Sequence, residues 1–116
     1  MKLPHANEAI VEREKITGYL LDAAHPDNGG KARFFKQLGF KIEQWEILAK
    51  ALKTLAIESE AATVHESPHG KKYVIIGRIQ SPRGKTPTVK TIWVVDKNQN
   101  AARLVTAYPH KVRPDD

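Results

Sequence analysis

The chain predicts an α+β fold, with N-terminal helices packed on one face of an antiparallel sheet of about four strands. Three observations carry that expectation. Between residues 42 and 57, Ile42, Trp45, Leu48, Ala49, Leu52 and Leu55 recur at helical spacing, while Glu43, Glu46, Lys50 and Lys53 lie off that stripe. From residue 61 onward, runs rich in Val, Ile, Thr, Trp and Tyr alternate with turn clusters, as in consecutive antiparallel strands. All helical patterning precedes all strand patterning, an order that segregates the helices to one side of a sheet. No internal repeat or long linker divides the chain. One domain over residues 1–116 is therefore expected, with helices over residues 1–58, a sheet over 59–110 and a tail at 111–116.

Taken in order, Ala9-Ile10-Val11 suits a short edge strand or a tether over the core. Ile16, Tyr19 and Leu20 predict a first helix over 13–22. His25-Pro26-Asp27-Asn28-Gly29-Gly30 breaks it, because proline disfavours helix before it and Asn-Gly is turn chemistry. A second helix over 31–38 buries Phe34, Phe35 and Leu38, is capped by Asp27 or Asn28 and stops at Gly39. After the third helix, strands are expected over 61–66, 73–79, 88–96 and 102–108, with a turn at Pro68-His69-Gly70. If Asp96 pairs with Ala101, Trp93 lies opposite Leu104, Thr91 opposite Thr106 and Val89 opposite Tyr108, all on one face. Lys90, Ile92, Val94, Val105 and Ala107 then take the other face. That set is more aliphatic and is expected beneath the helices, which leaves Thr91, Thr106 and Tyr108 on the open side.

Charge is lopsided. Residues 67–114 hold ten Lys or Arg against one acid, Asp96, whereas residues 1–66 hold nine basic and ten acidic side chains. A basic sheet half beside a near-neutral helical half implies a surface for a polyanion, nucleic acid above all. The absence of cysteine excludes disulfides, thiolate metal sites and cysteine nucleophiles. No apolar run approaches the ~20 residues of a membrane-spanning helix. The opening MKLPHANEAIV lacks the apolar centre of a signal peptide. A chain without cysteine fits the cytoplasm, the location expected, with a secreted effector domain as the alternative.

His5, His25 and His110 lie far apart, and the His65/His69 pair, four residues apart, falls across an expected strand end and the Pro68-His69-Gly70 turn rather than on a helix. No dinucleotide, Walker or GxSxG motif occurs, so neither metal nor cofactor is expected. Gly29-Gly30-Lys31 at a helix start could hold a phosphate through free backbone donors and a lysine. The plainer reading is a capped helix after a flexible turn. His25 precedes that turn, and a histidine there is a proton-transfer candidate if it meets the basic sheet; His65, His69 and His110 compete for the role. Tyr19, Tyr73, Trp45, Trp93 and the phenylalanines are expected in the core.

The block YLLDAAHPDNGGKARFFKQLGF, residues 19–40, resembles a His-Pro, Gly, Lys-Ala, Phe-Phe, Leu-Gly pattern of an uncharacterised bacterial domain family. Members of that family stand alone or at the C-termini of polymorphic toxins. KKYVIIGRI, TVKTIWVV and ARLVTAYP are similar to its strand blocks. The layout is similar to the barnase–EndoU–colicin–RelE group of ribonucleases, which cut RNA without metal. The resemblance implies His25, Lys31, Lys90, Thr91, Thr106 and Tyr108 as catalytic positions. Arg78, Arg83, Lys85 and Arg103, from the basic half, are expected to bind nucleic acid. RNA is the expected partner, with a cognate immunity or antitoxin protein as a second. The alternatives from other classes are a non-catalytic nucleic-acid-binding module and an antitoxin- or immunity-like interaction protein.

Overall fold

A computed structural model describes residues 2–110; the expected tail at 111–116 lies outside the described residues. A 3-10 turn, Ala6–Glu8, precedes helix α1, Arg13–Lys15, which runs directly into a π-helical turn, Ile16–Leu20. Helix α2 spans Lys31–Gln37, and α3 spans Trp45–Glu58 after a 3-10 turn at Ile42–Gln44. Strands β1 (Ala61–Ser67), β2 (Gly70–Arg78), β3 (Thr88–Asp96) and β4 (Arg103–Pro109) form one antiparallel sheet in the order β1-β2-β3-β4. The helices pack on one face of it, as the patterning predicts.

The core follows from the α3 stripe. Leu48, Ala49, Leu52, Leu55 and Ala56 are buried and join Tyr73, Ile75 and Trp93 from the sheet in one hydrophobic cluster with Ile16, Leu20, Phe35 and Phe40. Ile42 falls in the preceding turn instead and stays 38% exposed. The tether expected at Ala9-Ile10-Val11 buries Ala9 and Val11. Ile10 makes a single parallel bridge to β4, donating to Ala102 O (2.8 Å) and accepting from Leu104 N (2.9 Å). The β1–β2 turn depends on Gly70: its φ is +148°, and a Cβ there would strike the Val95 carbonyl.

The register of the last hairpin corrects the expected one. Trp93 does lie opposite Leu104, but a bulge between Ile92 and Trp93 shifts the rest, pairing Thr91 with Ala107, Ile92 with Thr106 and Lys90 with Tyr108. A bulge changes which face the following residues take. Leu104 and Ala107 therefore both point into the core, while Thr106 and Tyr108 reach the open face. Val89, Thr91 and Trp93 are fully buried beneath the helices, on the face opposite to the one expected for them. Burying Trp93 outweighs the more uniform aliphatic character of Ile92 and Val94.

Thr91 thus leaves the candidate surface. Its hydroxyl donates to Ile75 O (2.8 Å) and accepts from Trp93 Nε1–H (2.8 Å), so it is a core hydrogen-bond hub. Thr91→Val is expected to cost about 1–3 kcal/mol, because it strands a buried indole donor. RNA handling well below the melting temperature should be unaltered. Urea unfolding beside an RNA assay checks this, and a fully stable variant lacking activity would return Thr91 to the site.

Candidate functional site

The π-helical turn sets the geometry. Leu21 N bonds Ile16 O (2.8 Å), an i→i−5 link that widens the helix, and Ile16, Leu20 and Leu21 are all fully buried. Such turns are rare and recur at functional positions. Here the turn leaves Tyr19 half-buried, with its hydroxyl hydrogen-bonded to Thr106 Oγ1 (3.0 Å) on β4. Tyr19 packs against the core, as expected of it, while its hydroxyl reaches Thr106 at the open face.

Asn28, buried at 3% exposure, ties this turn to α2. Its Nδ2 donates to Tyr19 O (2.5 Å) and more weakly to Leu20 O (3.5 Å), and its Oδ1 accepts from Ala32 N (2.8 Å). Its carbonyl accepts from both Lys31 N (3.2 Å) and Lys31 Nζ (3.0 Å). The backbone donors expected to greet a phosphate at this helix start are therefore largely taken. Gly29 and Gly30, at φ +62° and +87°, make the left-handed turn into α2, and a Cβ on Gly29 would sit 3.6 Å from Lys31 Nζ.

Cations and phenol rings then alternate. Lys31 Nζ lies 5.5 Å from the Tyr19 ring centre and 5.8 Å from that of Tyr108. Lys90 Nζ lies 5.8 Å from Tyr108, and Lys15 Nζ 5.4 Å from Tyr19. Contacts at this range are cation–π interactions. The ring of His25 meets Tyr19 edge-on at 5.0 Å, and its Nδ1 accepts from Asp27 N (3.0 Å), so in the neutral ring the hydrogen sits on Nε2. Among the described residues, none of these lysines is in a salt bridge with a carboxylate. A cleft of about 330 Å³ opens between Gly29, Gly30, Lys31, Tyr108 and Pro109. Gathered ammonium groups without carboxylate partners among the described residues leave this end of the sheet positively charged.

The structure thus brings His25, Lys31, Lys90, Thr106 and Tyr108 together, and adds Tyr19, Lys15 and Asn28. Of the competing histidines, His110 bonds Thr88 O through its backbone N (3.0 Å) and by strand alternation falls on the Tyr108 face. His65 and His69 line a separate cleft at the opposite end with Lys72 and Arg103. A larger cleft, about 650 Å³, also lies at that end, but its lining mixes Glu66 and Asp96 with Lys71 and Lys97, so its charges offset one another.

Arg78, Arg83, Lys85 and Arg103 do not converge on the cluster. Arg83 donates to Gln37 O (3.2 Å), Lys85 is exposed on the β2–β3 loop, and Arg78 borders a cleft with Lys50 and Glu58. Arg103 grips Asp96 through Nε (2.7 Å) and Nη2 (3.2 Å). Those hydrogen bonds hold the Asp96 carboxyl below its ordinary range and raise the guanidinium. A depressed carboxyl stabilises the fold above its unfolded pKa and loses that contribution as pH falls through the folded one. Arg103→Ala should therefore lower the urea midpoint slightly at neutral pH, and the gap should close below the ordinary carboxylate range of about 3.9. A pH-independent gap would mean Arg103 acts by packing.

The fold and this cluster define a class: a small α+β domain carrying a cation–tyrosine seat beside its outer strand. The chain belongs to the family described as a domain of unknown function, DUF6883, which matches residues 2–111. Its fold is similar to that of a chain in a contact-dependent growth inhibition toxin–immunity protein complex from Klebsiella pneumoniae 342. The two superpose with a TM-score of 0.73 at 17% sequence identity, covering 92% of this chain and 97% of that one. Comparison with curated proteins returns no match. No helix among the described residues is long and apolar enough to cross a membrane.

Proposed function

We propose that this chain is a single toxin-type domain that binds RNA at the Lys31–Tyr108–Lys90 cluster and cleaves it without a metal ion. The observation that carries the reading is the pair of ammonium groups gathered at Tyr108, each 5.8 Å from its ring centre. The toxin–immunity complex named for the similar structure supports a toxin-related role, and with it a protein partner that would hold such an activity in check. The cation-lined seat favours the toxin component over the immunity component.

In this reading a histidine removes the proton of a ribose 2′-hydroxyl. The freed oxygen attacks the adjacent phosphorus, a 2′,3′-cyclic phosphate forms as the P–O5′ bond breaks, and the 5′-oxygen leaves with a proton given by the Tyr108 hydroxyl, which is reprotonated from solvent. Lys31 and Lys90 stabilise the growing negative charge on the phosphate. Thr106 holds a phosphate oxygen. Because Asp27 N–H occupies His25 Nδ1, His25 serves as an Nε2–H donor to a phosphate oxygen. Proton abstraction then falls to His110, beyond Tyr108 on the same face.

Incubation of purified protein with total tRNA, with and without EDTA, tests this directly. Cleavage to cyclic-phosphate ends in both conditions is expected, together with growth arrest when the protein is induced in bacteria. RNA that binds but stays intact across several substrates would leave a binding module. RNA that neither binds nor breaks, with stable capture of a toxin from a neighbouring gene, would mean an immunity-like protein.

A further inference from the structure

We infer a second phosphate subsite, formed by Lys15 and Tyr19, so that the site grips successive phosphates of one RNA strand; this rests on the reading of the cluster as an RNA site. Lys31 is the shared member. Its ammonium lies 5.5 Å from the Tyr19 ring, whose other cation, Lys15, lies 5.4 Å from the same centre. These two ammonium groups are therefore roughly 11 Å apart or less, close enough for one flexible strand to reach both. Lys31 and Lys90 share Tyr108 in the same manner, each 5.8 Å from its ring centre. The result is a chain of contacts that runs Lys90, Tyr108, Lys31, Tyr19, Lys15.

Two features fix Tyr19, whose ring Lys15 faces. The Tyr19 hydroxyl is bonded to Thr106 on β4, and the Tyr19 carbonyl is held by the buried Asn28 amide. Lys15 is half-buried and, among the described residues, has no carboxylate partner, so its charge is available to a ligand. With cations seated beside the tyrosine rings, the subsites address the sugar–phosphate backbone. The ligand class is a flexible single strand, which can adopt the in-line geometry that cleavage requires.

The test uses a non-cleavable probe, a fluorescent 2′-O-methyl RNA dodecamer, titrated by anisotropy across a KCl series. For a single strand, each phosphate contact contributes about 0.7 to the slope of log affinity against log salt. Lys15→Met should reduce that slope by about one such increment and leave the thermal melt unchanged, and Lys15→Arg should restore it. A wild-type slope in Lys15→Met, with the slope reduced in Lys31→Met, would overturn the second subsite alone. Failure of the wild-type protein to bind the probe or any RNA would remove the RNA reading, and this subsite with it.

Discussion

Lys31→Met is expected to lower RNA cleavage about 10²–10³-fold, the usual loss when one preorganised charge-stabilising donor is removed. Lys31 is placed for that role by its surroundings. Its ammonium is anchored to Asn28 O at 3.0 Å and stands between two tyrosine rings, so little side-chain freedom remains to be lost on binding phosphate. Methionine keeps the stem and deletes the charge, so the fold should be nearly as stable as before. Arginine should rescue poorly, since its planar fork does not fit a point-charge seat over a carbonyl. Lys90→Met should cost less, because Lys90 contacts Tyr108 alone among the site's rings. Initial rates on tRNA, with thermal melts of each variant, decide the matter. A Lys31→Met enzyme within twofold of wild type would sink the role.

Much of this architecture is legible in the chain because local chemistry and global packing agree. The α3 stripe, the Gly39 stop and the turn clusters each specify their element without help from tertiary contacts. Alternation does put Thr106 and Tyr108 together on the open face, although through a register that the β3–β4 pairing corrects. The β4 bulge has no residue signature, since neither Leu104 nor Val105 is a glycine, and pairing by simple alternation carries the error into Thr91. Tyr19 escapes the sequence pattern for a related reason. Helical spacing groups it with Ile16 and Leu20, and only the π turn separates its environment from theirs. The signal available is chemical: a tyrosine four residues after Lys15 and six before His25, beside a Gly-Gly-Lys. Asn28 is legible as a helix cap but not as the link between two site residues, because its contacts to Tyr19 and Leu20 depend on how the loop folds back.

That link makes Asn28 the position where fold and site are most tightly coupled. Asn28→Ala deletes one acceptor and one donor in a buried environment, stranding Ala32 N–H and the Tyr19 and Leu20 carbonyls. Unsatisfied buried groups cost about 1–3 kcal/mol each, and partial relaxation makes about 2–4 kcal/mol the expected loss. For a domain of this size that lowers the melting temperature by roughly 10 °C or more. Well below the melt, cleavage should still be impaired, since Tyr19 loses its anchor, although the main-chain carbonyl that holds Lys31 Nζ is kept. Asn28→Asp separates the hydrogen bonds from the volume. Its carboxylate can still accept from Ala32 N–H, but at neutral pH it has no hydrogen to offer the two carbonyls and repels them. The folded state therefore favours the protonated acid, which raises that carboxyl's pKa, so stability should recover as pH falls and be lost as pH rises through the folded value. An Asn28→Asp protein as stable as wild type at neutral pH would mean the clamp is not what joins the π turn to α2.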